Sequence, residues 1–393
     1  FSSPLNEITL YPSPIPFERH LSSLNLCNPN PVLLPTLLYG SNKYGSEHLK
    51  LIHGPPGTGK TYRLILELKN ILEINSREKV LLCAPSNIGV INMYNRAVSM
   101  GVQGCLVLSS NKIPDNFKFP EKPGKDNIIF TTISMRFGSI LNKMKFSTII
   151  IDEACQCQEA WTWGLLRNEV SKVILAGDPQ QLPALVSDIG QKYQYERSLM
   201  TRLIDLGVSS ELLSVQRRMH PDIVSFSNNC FYEGKLTSNY TPFSENNQFL
   251  PIQIINVNGQ EKSRGTSFYN LEEVNKVIEI EENLKKYFKE VVVISPYKEH
   301  CQLLKQKNKN LQVHTIDSFQ GKEAEAIILT TVRTGNQTGF WNDYRRLNVG
   351  MTRAKHALRI IGKLTTWSSS NGPLKKLLEF YQNNTNSNKI LIQ

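Results

Sequence analysis

The chain reads as an α/β protein built on two successive, mostly parallel sheets flanked by helices. Three observations predict this. Short runs rich in Val and Ile alternate with stretches of helical periodicity. The runs are apolar throughout rather than alternating, as strands buried on both faces are. The whole pattern occurs twice, with a break near residues 205–215.

In the first series LKLI (49–52), KVLLCAPS (79–86), NIIFTTIS (127–134), STIIIDEA (147–154) and SKVILAGD (171–178) read as strands. After Lys60, the residues Leu64, Leu68, Ile71 and Leu72 recur at helical spacing. The second series is PIQIINV (251–257), KEVVVISPY (289–297), LQVHTIDSF (311–319), AEAIILTTVR (324–333) and HALRIIG (356–362), with a helix expected over 271–288. Such strand–helix alternation is the grammar of an open parallel sheet. Residues 1–23, with four prolines and no periodicity, read as a lead-in. The expected divisions are therefore 1–23, a first domain 24–210, a second 211–375, and a polar tail 376–393 containing NNTNSN.

Composition excludes several classes. Hydrophobic residues make up 40% of 393, ample for large cores, and Gly 23 with Pro 20 is an ordinary globular share. No apolar run is long enough for a membrane helix, and no signal peptide is visible. The absent initiator Met suggests a fragment or processed product. Lys plus Arg is 45 against 34 acids, a net +11 that favours a polyanionic partner such as nucleic acid. The seven cysteines are scattered without a C-x-x-C pair, so neither disulfide framework nor zinc site is expected. A reducing, cytoplasmic setting follows, with the nucleus left open.

Gly54-Pro55-Pro56-Gly57-Thr58-Gly59-Lys60-Thr61 lies between an expected strand and an expected helix, the context a P-loop requires. Its glycines let backbone N–H groups wrap phosphates, and the helix start adds a favourable dipole. Lys60 suits the β- and γ-phosphates of ATP, and Thr61 suits Mg²⁺. Downstream, an apolar strand ends in Asp152 and Glu153. Alone such a pair is ordinarily a solvated loop. After a P-loop, Asp152 fits the second Mg²⁺ partner and Glu153 the base that orients water. Gly177-Asp178-Pro179-Gln180-Gln181 ends the next strand, placing Gln181 as a γ-phosphate sensor.

GPPGTGKT, DEACQ and GDPQQLP occur in the order shown by superfamily 1 helicases. The second half adds QRRMHP (216–221), FSNNCFYEGKL (226–236), SPY (295–297), TIDSFQGKEAEAIIL (315–329) and RRLNVGMTRAKHALRIIG (345–362), and APSN (84–87) follows the P-loop helix. The chain resembles the group of the upframeshift RNA helicase, senataxin and the nidovirus helicases over roughly residues 24–362. The resemblance implies two tandem RecA-like domains, ATP with Mg²⁺ in the cleft between them, and single-stranded RNA or DNA across their top, moved 5′ to 3′. It makes Arg218 and Arg353 arginine fingers, turns Arg217 toward adenine, sets Glu323 on the ribose and brings Gly321 near the γ-phosphate. It assigns Ser86, Asn87, Thr131, Thr132, Ser295, Pro296, Thr315 and Arg333 to the nucleic-acid backbone, where hydroxyls, amides and N–H groups make sequence-blind contacts. The Lys-rich stretch 285–309 reads mostly as a solvated face.

Departures leave adenine specificity open. Asn28 stands where relatives carry a Gln that reads adenine, and Arg217 where the upframeshift helicase has Tyr; nidovirus helicases have Arg there. The short segments before the P-loop and at 101–127 leave no room for the accessory barrel and zinc-binding domains of relatives, so accessory domains or proteins outside this chain are expected partners, with no membrane partner and a monomeric state. The sequence reading is an ATP-dependent helicase or translocase. Its alternative is a nucleic-acid-stimulated ATPase that remodels protein–RNA complexes without unwinding. A non-catalytic binding module would not need Lys60, Asp152, Glu153, Gln181, Arg218 and Arg353 together.

Overall fold

A computed structural model describes residues 29–40, 47–108, 126–138, 141–243, 249–335, 338–383 and 390–392. It divides into two compact units. The first reaches Gly54 and then takes Lys60–Pro179 and Pro183–Leu212; the second takes Pro55–Gly59, Gln180–Leu182 and the chain from Leu213 onward.

The first unit holds β1 (Leu49–His53), β2 (Val80–Ala84), β3 (Cys105–Val107), β4 (Ile128–Thr132), β5 (Thr148–Ile151), β6 (Lys172–Gly177) and β7 (Ser210–Leu212). They form one sheet in the order β3-β4-β2-β5-β6-β1-β7, every pairing parallel. β2, β4 and β5 are buried at every position, which is why their sequences show no alternation. The helix Lys60–Ile74 lays Leu64, Ile65, Leu68 and Ile71 into the unit, its helical spacing now a packed face. Burying each such side chain contributes about 1.5–3 kcal/mol relative to exposure. β3 and β7, three residues each, were too short to show in the sequence pattern.

The second unit begins with two short paired strands, β8 (Val215–Gln216) and β9 (Thr237–Ser238). Its main sheet holds β10 (Ile252–Asn256), β13 (Val291–Ser295), β14 (Gln312–Thr315), β15 (Ala324–Thr330), β16 (Ala354–Gly362) and β17 (Ile390–Ile392). Between β10 and β13 lies an antiparallel hairpin of β11 (Glu261–Arg264) and β12 (Ser267–Asn270) that the apolar pattern did not predict. The sheet order is β14-β13-β15-β16-β10-β17, again all parallel. The expected strand 311–319 stops at Thr315, because Asp317–Phe319 turns as a 3-10 helix.

The stretch 376–393 is not simply a polar tail. Pro373–Asn383 is a helix that buries Leu374, Leu377, Leu378 and Tyr381, a helical spacing missed in the sequence, and β17 pairs with β10. Residues 384–389, the lead-in 1–23 and Asn28 lie outside the described residues.

One buried carboxyl in this unit has consequences. Asn270 caps the helix Leu271–Leu284, its side-chain oxygen accepting the N–H of Glu273 at 3.2 Å. The Glu273 carboxyl is fully buried, and burial pushes it up to about 8 although backbone N–H donors oppose the shift. The native state therefore holds a proton that the unfolded chain, with an ordinary Glu, releases near pH 4.5. The stabilising contribution is complete below about pH 4.5 and is lost as pH rises through about 8. Glu273→Gln should flatten the decline of the urea midpoint between pH 5 and pH 8; an unchanged decline would assign it to other groups.

Candidate nucleotide site and strand-facing residues

Parallel strands end at one edge of a sheet, and open α/β sheets bind ligands there. β1, β5 and β6 are neighbours in the order β5-β6-β1. They deliver Gly54, Asp152 and Gly177 to that edge from three different parts of the sequence. Gly54 N–H donates to Gly177 O at 3.0 Å, joining the start of the P-loop to the end of β6. Neither glycine has room for a side chain. A Cβ on Gly54 would sit 1.9 Å from Lys60 Cγ, and one on Gly177 would sit 2.8 Å from the backbone N of Cys155. Gly57 and Gly59 have φ of +75° and +85°, the left-handed region a phosphate-wrapping loop needs.

Lys60 opens its helix and turns back, its Nζ donating to Gly54 O at 2.9 Å and lying 3.7 Å from Glu153 Oε1. Thr61 Oγ1 donates to Asp152 Oδ2 at 2.6 Å, across 91 positions of sequence. Asp152 is buried, and its other oxygen accepts the Glu153 N–H at 2.9 Å. Burial, then the neighbouring Glu153 charge, push Asp152 up to about 6, against the pull of Lys60 and Thr61. Glu153 itself adopts φ +52°, rare for a residue with a side chain, and Gln156 Nε2 donates to its Oε2 at 2.9 Å. Beside this set His53 Nε2 lies 3.1 Å from Oδ1 of the buried Asp178, a pair absent from the sequence reading. An acid directly after a buried strand was its available signal.

The residues fit a magnesium nucleotide. Asp152 and Thr61 offer a carboxylate and a hydroxyl side by side, hard oxygen donors suited to Mg²⁺ with retained waters. Lys60 and the helix start behind it suit phosphate.

In the second unit Gln216 is fully buried and brackets a turn, its Oε1 accepting from Arg218 N at 3.0 Å and Met219 N at 2.8 Å. This turn gives adjacent arginines different surroundings. Arg217 is exposed, with only a 3.4 Å bond from Nη1 to Val215 O described for its side chain. Arg218 pairs with Glu323 at 2.5 Å and donates to Thr352 O at 3.2 Å. Lys355 holds the other oxygen of Glu323 at 3.0 Å. Burial would raise the Glu323 carboxyl, but Arg218 and Lys355 outweigh it and keep it below its ordinary value. Arg353 is buried, donating to Val349 O at 3.0 Å and to Gln181 Oε1 at 3.1 Å. Gly321 has φ +77°.

The residues expected to meet nucleic acid all stand at or just past strand ends, but they do not offer the same groups. Ser86 is exposed, yet its Oγ caps the helix Asn87–Ser99, accepting from Gly89 N at 3.1 Å. Thr132 is buried beside Ser134, 3.3 Å between hydroxyls. Thr131 and Ser295 are fully buried, and the Thr131 hydroxyl donates to Val107 O at 2.8 Å. Neither residue offers its hydroxyl at the surface. Pro296 is buried and Thr315 bonds Ser318 at 3.0 Å. Arg333 is part-exposed, ion-paired with Glu261 at 2.9 Å and lying 4.0 Å above the Phe268 ring. Glu261 and Phe268, on the unexpected hairpin, were not legible as site residues.

The P-loop lysine, the threonine–aspartate pair and the flanking glutamate define a P-loop nucleotide-binding protein. Two family profiles, both described as AAA domain, match residues 195–365 and residues 40–114 with 124–188. The chain is 35% identical over 268 residues to Helicase SEN1 of Saccharomyces cerevisiae, covering 60% of this chain and 12% of that protein. It is 28% identical over 427 residues to Regulator of nonsense transcripts 1 of Dictyostelium discoideum, covering 88% of this chain and 32% of that one. It thus spans well under half of the length of either relative. Among solved structures, the Arterivirus nonstructural protein 10 helicase in complex with DNA shares the fold, with TM-score 0.51, 20% identity, and coverage of 79% of this chain and 59% of that one. The chain belongs to the superfamily 1 helicases of the upframeshift–senataxin type.

Among the described residues no helix is long and apolar enough to cross a membrane, and no His, Cys, Asp and Glu cluster forms a metal site of three or more ligands. Glu153→Gln keeps the side-chain shape and removes the carboxylate, which tests Glu153 as the expected base. It should leave nucleotide binding near wild type while lowering turnover roughly 10²- to 10⁴-fold. Near-normal turnover in that variant would remove Glu153 from the role.

Proposed function

We propose that the chain is an ATP-driven motor on single-stranded RNA or DNA, moving 5′ to 3′ and separating duplexes. The observation that carries this reading is the gathering of Lys60, Thr61, Asp152 and Glu153 at one sheet edge. One matched relative is named Helicase SEN1, and the net charge of +11 suits a polyanion. ATP with Mg²⁺ would supply the phosphoryl group and the metal that neutralises its charge. Lys60 gives up the Gly54 carbonyl for phosphate oxygens. Thr61 and Asp152 would hold the metal. Glu153 takes a proton from the attacking water. Gln181 senses the phosphate end, and Arg353 is already bonded to it at 3.1 Å. Arg218 exchanges Glu323 for charge developing on the phosphoryl group, leaving Glu323 for the ribose and Gly321 free of a side chain beside the phosphate. The protein works as a monomer with accessory domains or proteins outside this chain, in the cytoplasm or nucleus.

The strand side relies on Ser86, Asn87, Thr132, Pro296, Thr315 and Arg333. Contacts of this kind are mostly to phosphate and sugar. Strand affinity should fall steeply with added salt and show little sequence preference, and a flat salt titration would contradict backbone tracking.

Arg217 and Arg218 should separate kinetically. Exposed Arg217 stacking on the base acts equally before and during chemistry, by about 0.5–2 kcal/mol. Arg217→Ala should raise the KM for ATP roughly 2- to 30-fold and change kcat little. Arg218→Ala should lower kcat by roughly 10³-fold or more with a smaller effect on KM. The reverse pattern would shift the assignment by one residue.

A forked duplex assay beside a protein-displacement assay tests the function itself. Strand separation is the expected result. Displacement of bound protein without separation would favour the remodelling ATPase instead.

A further inference from the structure

The end of β15 contains a backbone conformation that the proposed chemistry does not explain. Val332 has φ +65°, a true outlier for a β-branched residue. The N–H of Arg333 donates to Thr331 O at 2.7 Å, so residues 331–333 form a γ-turn of the strained, positive-φ kind. Strain of this sort persists only where surroundings over-determine it, and it gathers at functional sites.

The surroundings here are specific. The Val332 N–H points at the buried Glu273 carboxyl, 3.0 Å from each oxygen. The Val332 carbonyl accepts from Asn270 Nδ2 at 3.4 Å. Asn270 is itself held, its N–H donating to Nδ1 of the buried His300 at 3.3 Å. The next residue is Arg333. Its guanidinium leaves the turn toward the hairpin, bonded to Glu261 and lying over Phe268, with Nη1 3.5 Å from the Tyr297 hydroxyl. The same Glu261 oxygen accepts the N–H of Thr334 at 2.6 Å and of Gly335 at 3.3 Å, so the hairpin also holds the chain after the turn. In ordinary strand conformation successive side chains alternate faces. The turn at Val332 breaks that alternation and sets where Arg333 points.

We propose that Glu273 is a positioning residue for nucleic-acid binding, which fixes the strained turn at Val332 and thereby aims Arg333 at the strand backbone. This rests on the reading above, in which Arg333 touches the strand. Glu273 touches no ligand and acts through the backbone of Val332.

The test is a double-mutant cycle on the full chain, read as the Kd for fluorescein-labelled oligouridylate and oligothymidylate by anisotropy, well below each variant's melting midpoint. Arg333→Ala should weaken binding roughly tenfold, the scale of one charge-assisted contact. Glu273→Leu, which removes the acceptor and keeps the bulk, should weaken it by a similar factor. The double variant should be no weaker than Arg333→Ala alone, because the two residues act as one unit. A merely structural role would lower the melting midpoint while leaving Kd at the wild-type value, or would add to the Arg333 effect; either result overturns the proposal. If Glu273→Leu does not fold, Glu273→Met takes its place. It too removes the acceptor while keeping an unbranched apolar chain, and it should weaken binding by a similar factor and again not add to Arg333→Ala. An unchanged Kd or an additive one overturns the proposal there too. Wild-type protein that binds neither oligonucleotide brings down the proposed function together with this inference. Wild-type binding with an unchanged Arg333→Ala, or with the Glu273 variants unaffected, brings down the inference alone.

Discussion

Every strand of both main sheets runs in the same direction as its neighbours, and this constraint governs the molecule. A parallel strand needs a crossover to return, so each strand contributes one loop to the same edge. Residues far apart in sequence meet there because nothing else is available at that edge. Thr61 and Asp152 lie 91 positions apart and 2.6 Å from each other for this reason. Gly54 and Gly177 meet in the same way, and both are confined to glycine by what presses against them. The positions proposed to face nucleic acid also lie at or near strand ends.

Some of the costly features stand at or just past strand ends. Asp152 is a buried acid beside a second acid, tolerable because Lys60 and Thr61 face it. Glu153 takes a left-handed backbone, as does Val332 at the end of β15. Buried charge and positive φ cost stability, which the packed faces of the helices behind the sheets supply. The same sheets place their unstrained, fully apolar positions in the interior, where they contribute burial and nothing else.

Much of this was legible in the sequence, and the reasons differ by element. Strands such as 80–84 and 291–295 are buried on both faces and announce themselves as uninterrupted apolar runs. The P-loop and the Asp152–Glu153 pair combine residue type with strand context, which makes them readable without coordinates. What stayed hidden lacks such a signal. β3, β7 and β17 are three residues each. The hairpin 261–270 is largely polar and exposed on β11, so its Glu261 and Phe268 looked like loop residues. The helix from Pro373 carries its apolar residues at helical spacing, but polar neighbours after Asn383 drew it into an apparent tail. Thr131 and Ser295 carried a family assignment to the nucleic acid, whereas side-chain direction depends on the pleat, which a motif does not record.

Under the proposed function, phosphate chemistry at the first sheet's edge is stimulated by a bound nucleic-acid strand. The ATPase rate of the purified chain, measured with and without single-stranded RNA and DNA homopolymers, tests it most directly. Hydrolysis should be slow alone and strongly stimulated by either homopolymer, with duplex of the same length stimulating less. Hydrolysis indifferent to every nucleic acid would contradict it.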